Sequence, residues 1–367
     1  MRVLMISKAC IVGTYQRKLE EMATAPDLDL SVVVPPSWRD ERGETQLERV
    51  FTQGYDLIVS PIRFNGRFHW HYYPALEQHL DHIQPDILHI DEEPYSLVTW
   101  LALRAARRRN IKTLFFSWQN ILRPYPPPFR WFEQTVLQHA DYALMGTESA
   151  AAVWRAKGYT GPLAVIPQFG VDPDLFCPDS TPHPPTPMHI GYAGRLWIGK
   201  AVDVLIAALA NLRELDWRLT LIGSGPEQAT LTAQIEQLSL QDRIQIVPWV
   251  ASTAMPAYMR ALDILVIPSR TRRSWKEQYG RVIIEAMASG VAVIGSNSGA
   301  IPDVIGDAGL VFAEDDVDDL TCHLRHLIAD SAARHDLARR GRQRVLAHFT
   351  QAQIAEKTIE VYRSMLK

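Results

Sequence analysis

The chain has 367 residues, 47% hydrophobic and 22% charged, with a formal net charge of −3. That length suits two domains of about 100–200 residues better than one core, and the composition is that of a globular protein. Lysine and arginine number 18 against 21 acidic residues in 1–180, and 20 against 20 in 181–367, so neither half is a basic module and nucleic acid is not an expected partner.

Short apolar runs alternate with longer amphipathic ones, the pattern of parallel strands joined by helices. In the first half VLMIS (3–7), LSVVVP (30–35), DLIVS (56–60), DILHID (86–91), TLFFS (113–117), YALMGT (142–147) and LAVIPQ (163–168) read as strands. Helical patterns fall at 14–24, 95–109, 130–140 and 148–157. Five prolines in CPDSTPHPPTPM (177–188) then forbid a regular ladder and favour an extended linker. Beyond it the strand rhythm resumes at 188–194, 218–223, 244–249, 264–269, 291–296 and 309–313. Helices are expected near 200–214, 226–239, 254–261, 280–289 and 316–329. The economical reading is α/β: two doubly wound Rossmann-like domains, 1–180 and 188–345, facing across a cleft that holds the ligand.

Cys10, Cys177 and Cys322 are odd in number and far apart. They offer neither metal spacing nor a disulfide framework, which favours a reducing compartment. The opening MRVLMIS runs straight into a strand without the long apolar stretch of a signal peptide. No run approaches the roughly 18–20 apolar residues that span a bilayer. The expected location is cytoplasmic, with peripheral attachment to the inner face of a membrane left open.

The stretch WKEQYGRVIIEAMASGVAVIGS (275–296) carries the most chemistry. A helix beginning near Gly280 leaves Glu277 in the preceding loop and Glu285 in the second turn. The backbone N–H groups of Gly280, Arg281 and Val282 then form an anion site at the positive end of the helix dipole. A loop carboxylate beside it can accept from sugar hydroxyls, and one further along from a ribose diol. Each glutamate has a plainer reading as a solvated surface charge.

This stretch resembles the E-x7-E signature of retaining glycosyltransferases of the GT-B fold, especially glycosyltransferase family 4, the glycosyl transferases of group 1. GYAGRLWIGKAVDVLIAAL (191–209) is similar to that family's G-R-L-x-x-x-K-G segment, after Gly194. VIPQFGVDPDLFCP (165–178), SGAIPDVIGDAGLVF (298–312) and HFTQAQIAEKTIEVYRSML (348–366) resemble further family segments, the last a helix that crosses back to the first domain. The resemblance implies a hexosyltransferase that moves sugar from a nucleotide sugar to a hydroxyl acceptor by front-face substitution. Glu277 would hold the donor sugar, Arg195 and Lys200 the leaving diphosphate, and Glu285 the ribose. For the base it implies main-chain contacts at Trp249 and Val250. A UDP-sugar is the first expectation and a GDP-sugar the second. No metal or other cofactor is implied, and Asp315-Asp316 and Asp318-Asp319 read as a helix start.

In the first domain the family's glycine-rich loop is represented by Gly13 alone, a phosphate neighbour or an ordinary turn. Where many relatives carry a histidine after TLFFS, this chain has Trp118, Gln119 and Asn120; the two amides can bind a sugar hydroxyl but cannot act as acid or base. Asp91 and Glu92, followed by Glu93, end another strand and suit a polyhydroxyl acceptor, though acids also suit a helix start. RAARRRN (104–110) and ILRPYPPPFRWF (121–132) mix cations with aromatics, as membrane interfaces do, and as an acceptor pocket or simple packing would. Oligomeric state is not legible. The rival readings are a sugar-nucleotide 2-epimerase of the same fold, a nicotinamide oxidoreductase hinted at by IGSGPE (222–227), and a non-catalytic binding paralogue. Gln228 stands where the oxidoreductase motif needs its third glycine.

Overall fold

A computed structural model describes residues 1–40, 43–179, 187–248, 250–251 and 254–367. The chain divides into two units, Met1–Gly170 with Gln351–Lys367, and Val171–Thr350. Each is built on a parallel sheet with helical crossovers.

In the first unit the strands are β1 (Arg2–Ile6), β2 (Asp29–Val34), β3 (Ser37–Asp40), β4 (Gly43–Gln46), β5 (Asp56–Val59), β6 (Ile87–Ile90), β7 (Lys112–Ser117), β8 (Tyr142–Met145) and β9 (Leu163–Val165). The seven-stranded sheet runs β5-β2-β1-β6-β7-β8-β9, while β3 and β4 pair separately as an antiparallel ribbon. Central strands are buried on both faces, Val3–Ile6 and Val32–Val34 being fully covered. That is why they read as unbroken apolar runs. Helices α1 (Arg17–Ala23), α2 (Leu76–Ile83), α3 (Leu97–Arg107), α4 (Phe129–His139) and α5 (Glu148–Ala156) connect them.

The second unit has β10 (Met188–Ala193), β11 (Trp217–Ile222), β12 (Ile244–Val247), β13 (Ile264–Ile267), β14 (Ala292–Ser296) and β15 (Leu310–Phe312), in the order β12-β11-β10-β13-β14-β15. Its helices are α6 (Val202–Ala210), α7 (Gln228–Gln237), α8 (Met255–Arg260), α9 (Arg281–Ala288), α10 (Ile301–Ile305), α11 (Val317–Ala329) and α12 (Ser331–His348). Asp316 caps α11 by accepting the Asp319 N–H at 2.9 Å, so the acidic run does begin a helix. Asp330 caps α12 in the same way through Ala333.

The changeover between units lies at Gly170–Val171. Val171 donates its N–H to the Phe349 carbonyl, and the Leu175 and Phe176 carbonyls accept from Arg260 and Arg342. These bonds fasten Val171, Leu175 and Phe176 to the second unit, ahead of the proline-rich run. Residues 180–186 of that run lie outside the described residues.

The chain returns to the first unit as α13 (Gln351–Met365). Ile354, Ala355, Ile359 and Tyr362 enter the same core as Val3, Met5, Leu19 and Val32. The Tyr362 hydroxyl lies 2.7 Å from His89 Nδ1. Burial holds that imidazole well below its usual range, and so neutral.

Trp217, fully buried, donates its indole N–H to the Leu212 carbonyl at 2.8 Å. Trp217→Ala should destabilise the second unit by about 3–5 kcal/mol, measured by denaturant titration; a loss below about 1 kcal/mol would contradict this packing.

Candidate active site

Ligands of open parallel sheets collect beyond the carboxyl ends of the strands, where strand order reverses. In the second unit that point lies at β10, which pairs with β11 on one side and β13 on the other. β10 runs out into Gly194 and Arg195, and β13 into Pro268 and Ser269. A short 3-10 turn, Ile198–Lys200, then brings Lys200 back across the strand ends. Its Nζ lies 2.5 Å from Glu277 Oε2, and the same oxygen accepts the Ser269 hydroxyl at 2.9 Å. Glu277 is buried, and its carbonyl accepts the Ala300 N–H at 3.1 Å. Arg195 is exposed, and its carbonyl accepts the Tyr192 hydroxyl at 2.9 Å.

Gly280 precedes α9 with φ 70° and ψ 54°, a left-handed geometry that costs glycine little. The N–H groups of the first turn, including Arg281 and Val282, point along the helix axis toward the Glu277 loop. Glu285 lies in the second turn. Its Oε1 is 2.9 Å from Arg281 Nε, while its buried Oε2 has no hydrogen-bond partner among the described residues. Burial raises the Glu285 carboxyl above its usual range, and Arg281 only partly offsets this. An unmet buried acceptor is costly, so this oxygen can be satisfied by a ligand hydroxyl. Val250 is half-buried beyond β12, and Trp249 lies outside the described residues.

In the first unit the reversal falls at β1, flanked by β2 and β6. Beyond these ends sit three consecutive buried acids with different surroundings. Asp91 accepts the Ser7 hydroxyl at 2.5 Å and the Gln168 amide at 2.8 Å on Oδ2, leaving Oδ1 unpartnered among the described residues. Burial raises its carboxyl. Glu92 forms an ion pair with Lys8, and His71 Nε2 lies 3.5 Å from its other oxygen. Burial pushes Glu92 up, but Lys8 and His71 outweigh it and hold the carboxyl at about 2. Glu93 accepts the Ser117 hydroxyl at 2.6 Å and the Trp118 N–H at 2.8 Å. Burial dominates there and pushes the carboxyl up to about 7.

Gln119 belongs to this network. Its N–H donates to Ser117 Oγ, its side-chain amide to the Ile121 carbonyl, and its buried Oε1 is unpartnered among the described residues. Asn120 is buried next to it. Gly13 stands apart: its N–H donates to Glu48 Oε2 at 2.6 Å, so a carboxylate already occupies the place where an anion was expected. Lys8, His71, Ser117, Gln168 and Ser269 are site neighbours that the sequence reading passed over. For Lys8, Ser117 and Ser269 a signal was available, since each lies at the end of, or just beyond, a buried strand.

Among the described residues, no group of three or more His, Cys, Asp or Glu side chains could hold a metal ion. No helix among them is long and apolar enough to cross a membrane.

The Glu93 environment sets a pH dependence. Its folded pKa is raised from 4.5 to about 7, so between those values the folded chain holds a proton that the unfolded chain has released. Stability therefore falls as pH rises through that window. Glu93→Gln should remove this part of the slope in denaturation midpoints measured across the window, and identical slopes in the two proteins would contradict the assignment.

Residues 177–344 match the family described as glycosyl transferases group 1, and residues 12–168 match the glycosyl transferase 4-like domain. The N-acetyl-alpha-D-glucosaminyl L-malate synthase of Bacillus anthracis is 29% identical over 172 residues, 46% of this chain and 43% of that protein. A Mycolicibacterium smegmatis protein, the GDP-mannose-dependent alpha-(1-6)-phosphatidylinositol monomannoside mannosyltransferase, is 31% identical over 186 residues, 46% of this chain and 49% of that one. The matches thus span about half or less of these curated relatives. The solved structure of Anabaena Alr3699/HepE in complex with UDP has a TM-score of 0.75 at 17% identity, covering 99% of this chain and 100% of that one. That likeness speaks for the fold. With two family domains matched in succession and two Rossmann-like units in the matching order, the chain belongs to the group 1 glycosyltransferases and has the GT-B fold.

Proposed function

We propose that this protein transfers a hexosyl group from a nucleoside-diphosphate sugar to a hydroxyl acceptor, with retention at the anomeric carbon. The observation that carries the reading is the part-buried Lys200–Glu277 pair at the strand-order reversal of the second sheet, beside the α9 N-terminus. Glu277 positions the sugar and supports positive charge near the anomeric carbon. Lys200 and Arg195 stabilise the diphosphate as the sugar–phosphate bond breaks. The N–H groups of Gly280, Arg281 and Val282, with Gly194 nearby, receive its oxygens. Glu285 takes the ribose diol on its unpartnered oxygen. As the acceptor oxygen bonds to the anomeric carbon, its proton passes to the departing phosphate oxygen, so no separate protein base is required.

A UDP-sugar is the preferred donor, supported by the UDP bound in the Anabaena neighbour. The GDP-mannose dependence in the mycobacterial relative's name keeps a GDP-sugar as the second choice. On the acceptor side, Asp91 Oδ1 and Gln119 Oε1 offer acceptor atoms for sugar hydroxyls, flanked by Glu92 and Asn120. A glycan, a lipid-linked sugar or a small metabolite all present such hydroxyls.

A membrane surface is a second partner of this reading. Residues 104–132 contain seven lysines and arginines and no acid, and Leu122 and Trp131 there are 61% and 54% exposed. Cations beside exposed apolar side chains suit an anionic bilayer surface. Sedimentation with anionic vesicles at low salt should carry the protein down and neutral vesicles should not. Absence from both pellets rules the contact out.

A thermal-shift screen of nucleoside diphosphates and their sugars should identify the donor, because a native-state ligand raises the melting temperature. Glu277→Ala should then lower turnover by about a hundredfold or more while nucleoside-diphosphate binding survives; turnover within about tenfold of wild type removes its assigned role. Glu285→Ala should weaken nucleotide binding, and an unchanged Kd would count against the ribose contact. Incubation with donor alone distinguishes transfer from 2-epimerisation, which would convert the donor without an acceptor.

A further inference from the structure

The turn bearing Lys200 and the loop bearing Glu277 are joined by two tryptophans that the donor reading leaves without a role. Trp275 stands two residues before Glu277, and the Lys200 ammonium lies 5.1 Å from its ring centroid. Trp197 meets Trp275 edge-on, with centroids 4.9 Å apart and planes at 78°. Gly199 leaves room for both: a Cβ there would come within 2.4 Å of the Trp197 ring and 3.0 Å of the Trp275 ring.

The loop that presents Trp275 is braced. Arg272 and Trp275 exchange backbone hydrogen bonds at 2.7 and 3.2 Å, and the Arg270 N–H donates to the Gly199 carbonyl at 2.9 Å. The Arg270 side chain is held by Asp203 at 2.8 and 3.0 Å and by Asp315 at 2.6 Å. Both tryptophans are half-buried.

A lysine is a compact charge on a flexible four-carbon stem, so one carboxylate partner does not by itself confine it. The face of an indole attracts an ammonium and also excludes water from it. We propose that Trp275, backed by Trp197, is a positioning residue that holds the Lys200 ammonium against Glu277 and shields it from water on that side. The cation is then in place for a leaving diphosphate before any donor arrives, as preorganised stabilisation requires. This rests on the donor-site reading of Lys200 and Glu277 given above.

The test uses the full chain and three variants, Trp275→Ala, Trp275→Leu and Trp275→Phe. Acylation of Lys200 by an amine-directed succinimidyl ester is followed by peptide mass spectrometry. Lys200 should react about fivefold faster in the Ala and Leu variants, and within about twofold of wild type in the Phe variant, which keeps an aromatic face. Packing alone would let Leu and Phe serve equally, so equal rates in those two variants overturn the proposal, as does an unchanged rate in Trp275→Ala. With the sugar nucleotide from the donor screen, Trp275→Leu should lose about tenfold in kcat while the Kd for its nucleoside diphosphate stays within about threefold. A kcat within about twofold of wild type also overturns it. Labelling needs no donor. A wild-type chain that turns over no sugar nucleotide would therefore sink the proposed function while the labelling comparison still decides the role of Trp275.

Discussion

Pairing the half-buried Lys200 ammonium with the buried Glu277 carboxylate is the constraint around which the second unit's site is arranged. Removing two such charges from water costs several kcal/mol per ion before their attraction returns any of it. The pair is tolerable only with good geometry and further hydrogen bonds, and Ser269 supplies one to the same oxygen. The partners are 77 residues apart in the chain. Meeting that condition therefore fixes the 3-10 turn after β10 and the loop after β13 in register with each other. The same loop sets the approach to Gly280, and hence the direction in which the α9 N-terminus faces.

The first unit solves a different electrostatic problem. Asp91, Glu92 and Glu93 are adjacent in the chain, yet their proton affinities diverge because successive residues meet different neighbours. Glu92 is held ionised by a lysine and a histidine. Glu93 accepts from the Ser117 hydroxyl and the Trp118 N–H, and these with the weaker pull of Lys8 do not offset its burial and the adjacent Glu92 charge. One strand end thus presents a fixed negative charge beside a carboxyl that changes charge near neutrality.

Much of this architecture was legible in the chain. Buried parallel strands are continuous apolar runs, so the sheets announce themselves, and reversal points follow from strand order. The order of Glu277, Gly280 and Glu285 could be placed before any coordinate because glycine, helix start and carboxylates lie within nine residues. What stayed hidden depends on partners far away in sequence. Lys8 finds Glu92 across 84 residues and Asp91 finds Gln168 across 77, and no local pattern encodes such meetings. The partner of Gly13 was hidden for the same reason, since Glu48 reaches it from 35 residues away. Helix α12 was missed because its buried face, Arg334, Leu337, Ala338, Gly341 and Val345, includes a charge and two small residues and so carries little apolar signal. The β3–β4 ribbon was missed because Gly43–Gln46 is exposed throughout and so lacks apolar alternation.

The return of α13 to the first unit has a bearing on how the protein is made. The second unit is one uninterrupted stretch, Val171–Thr350, whereas the first draws on both ends of the chain. During synthesis the ribosome releases β1 to β9 long before Ile354, Ile359 and Tyr362 exist to cover them. Until α13 emerges the nascent first unit lacks part of its core, whereas the second unit is continuous and has all of its own core residues earlier. Helix α13, which emerges after the second unit, supplies that part, so completion of the first core requires translation through α13.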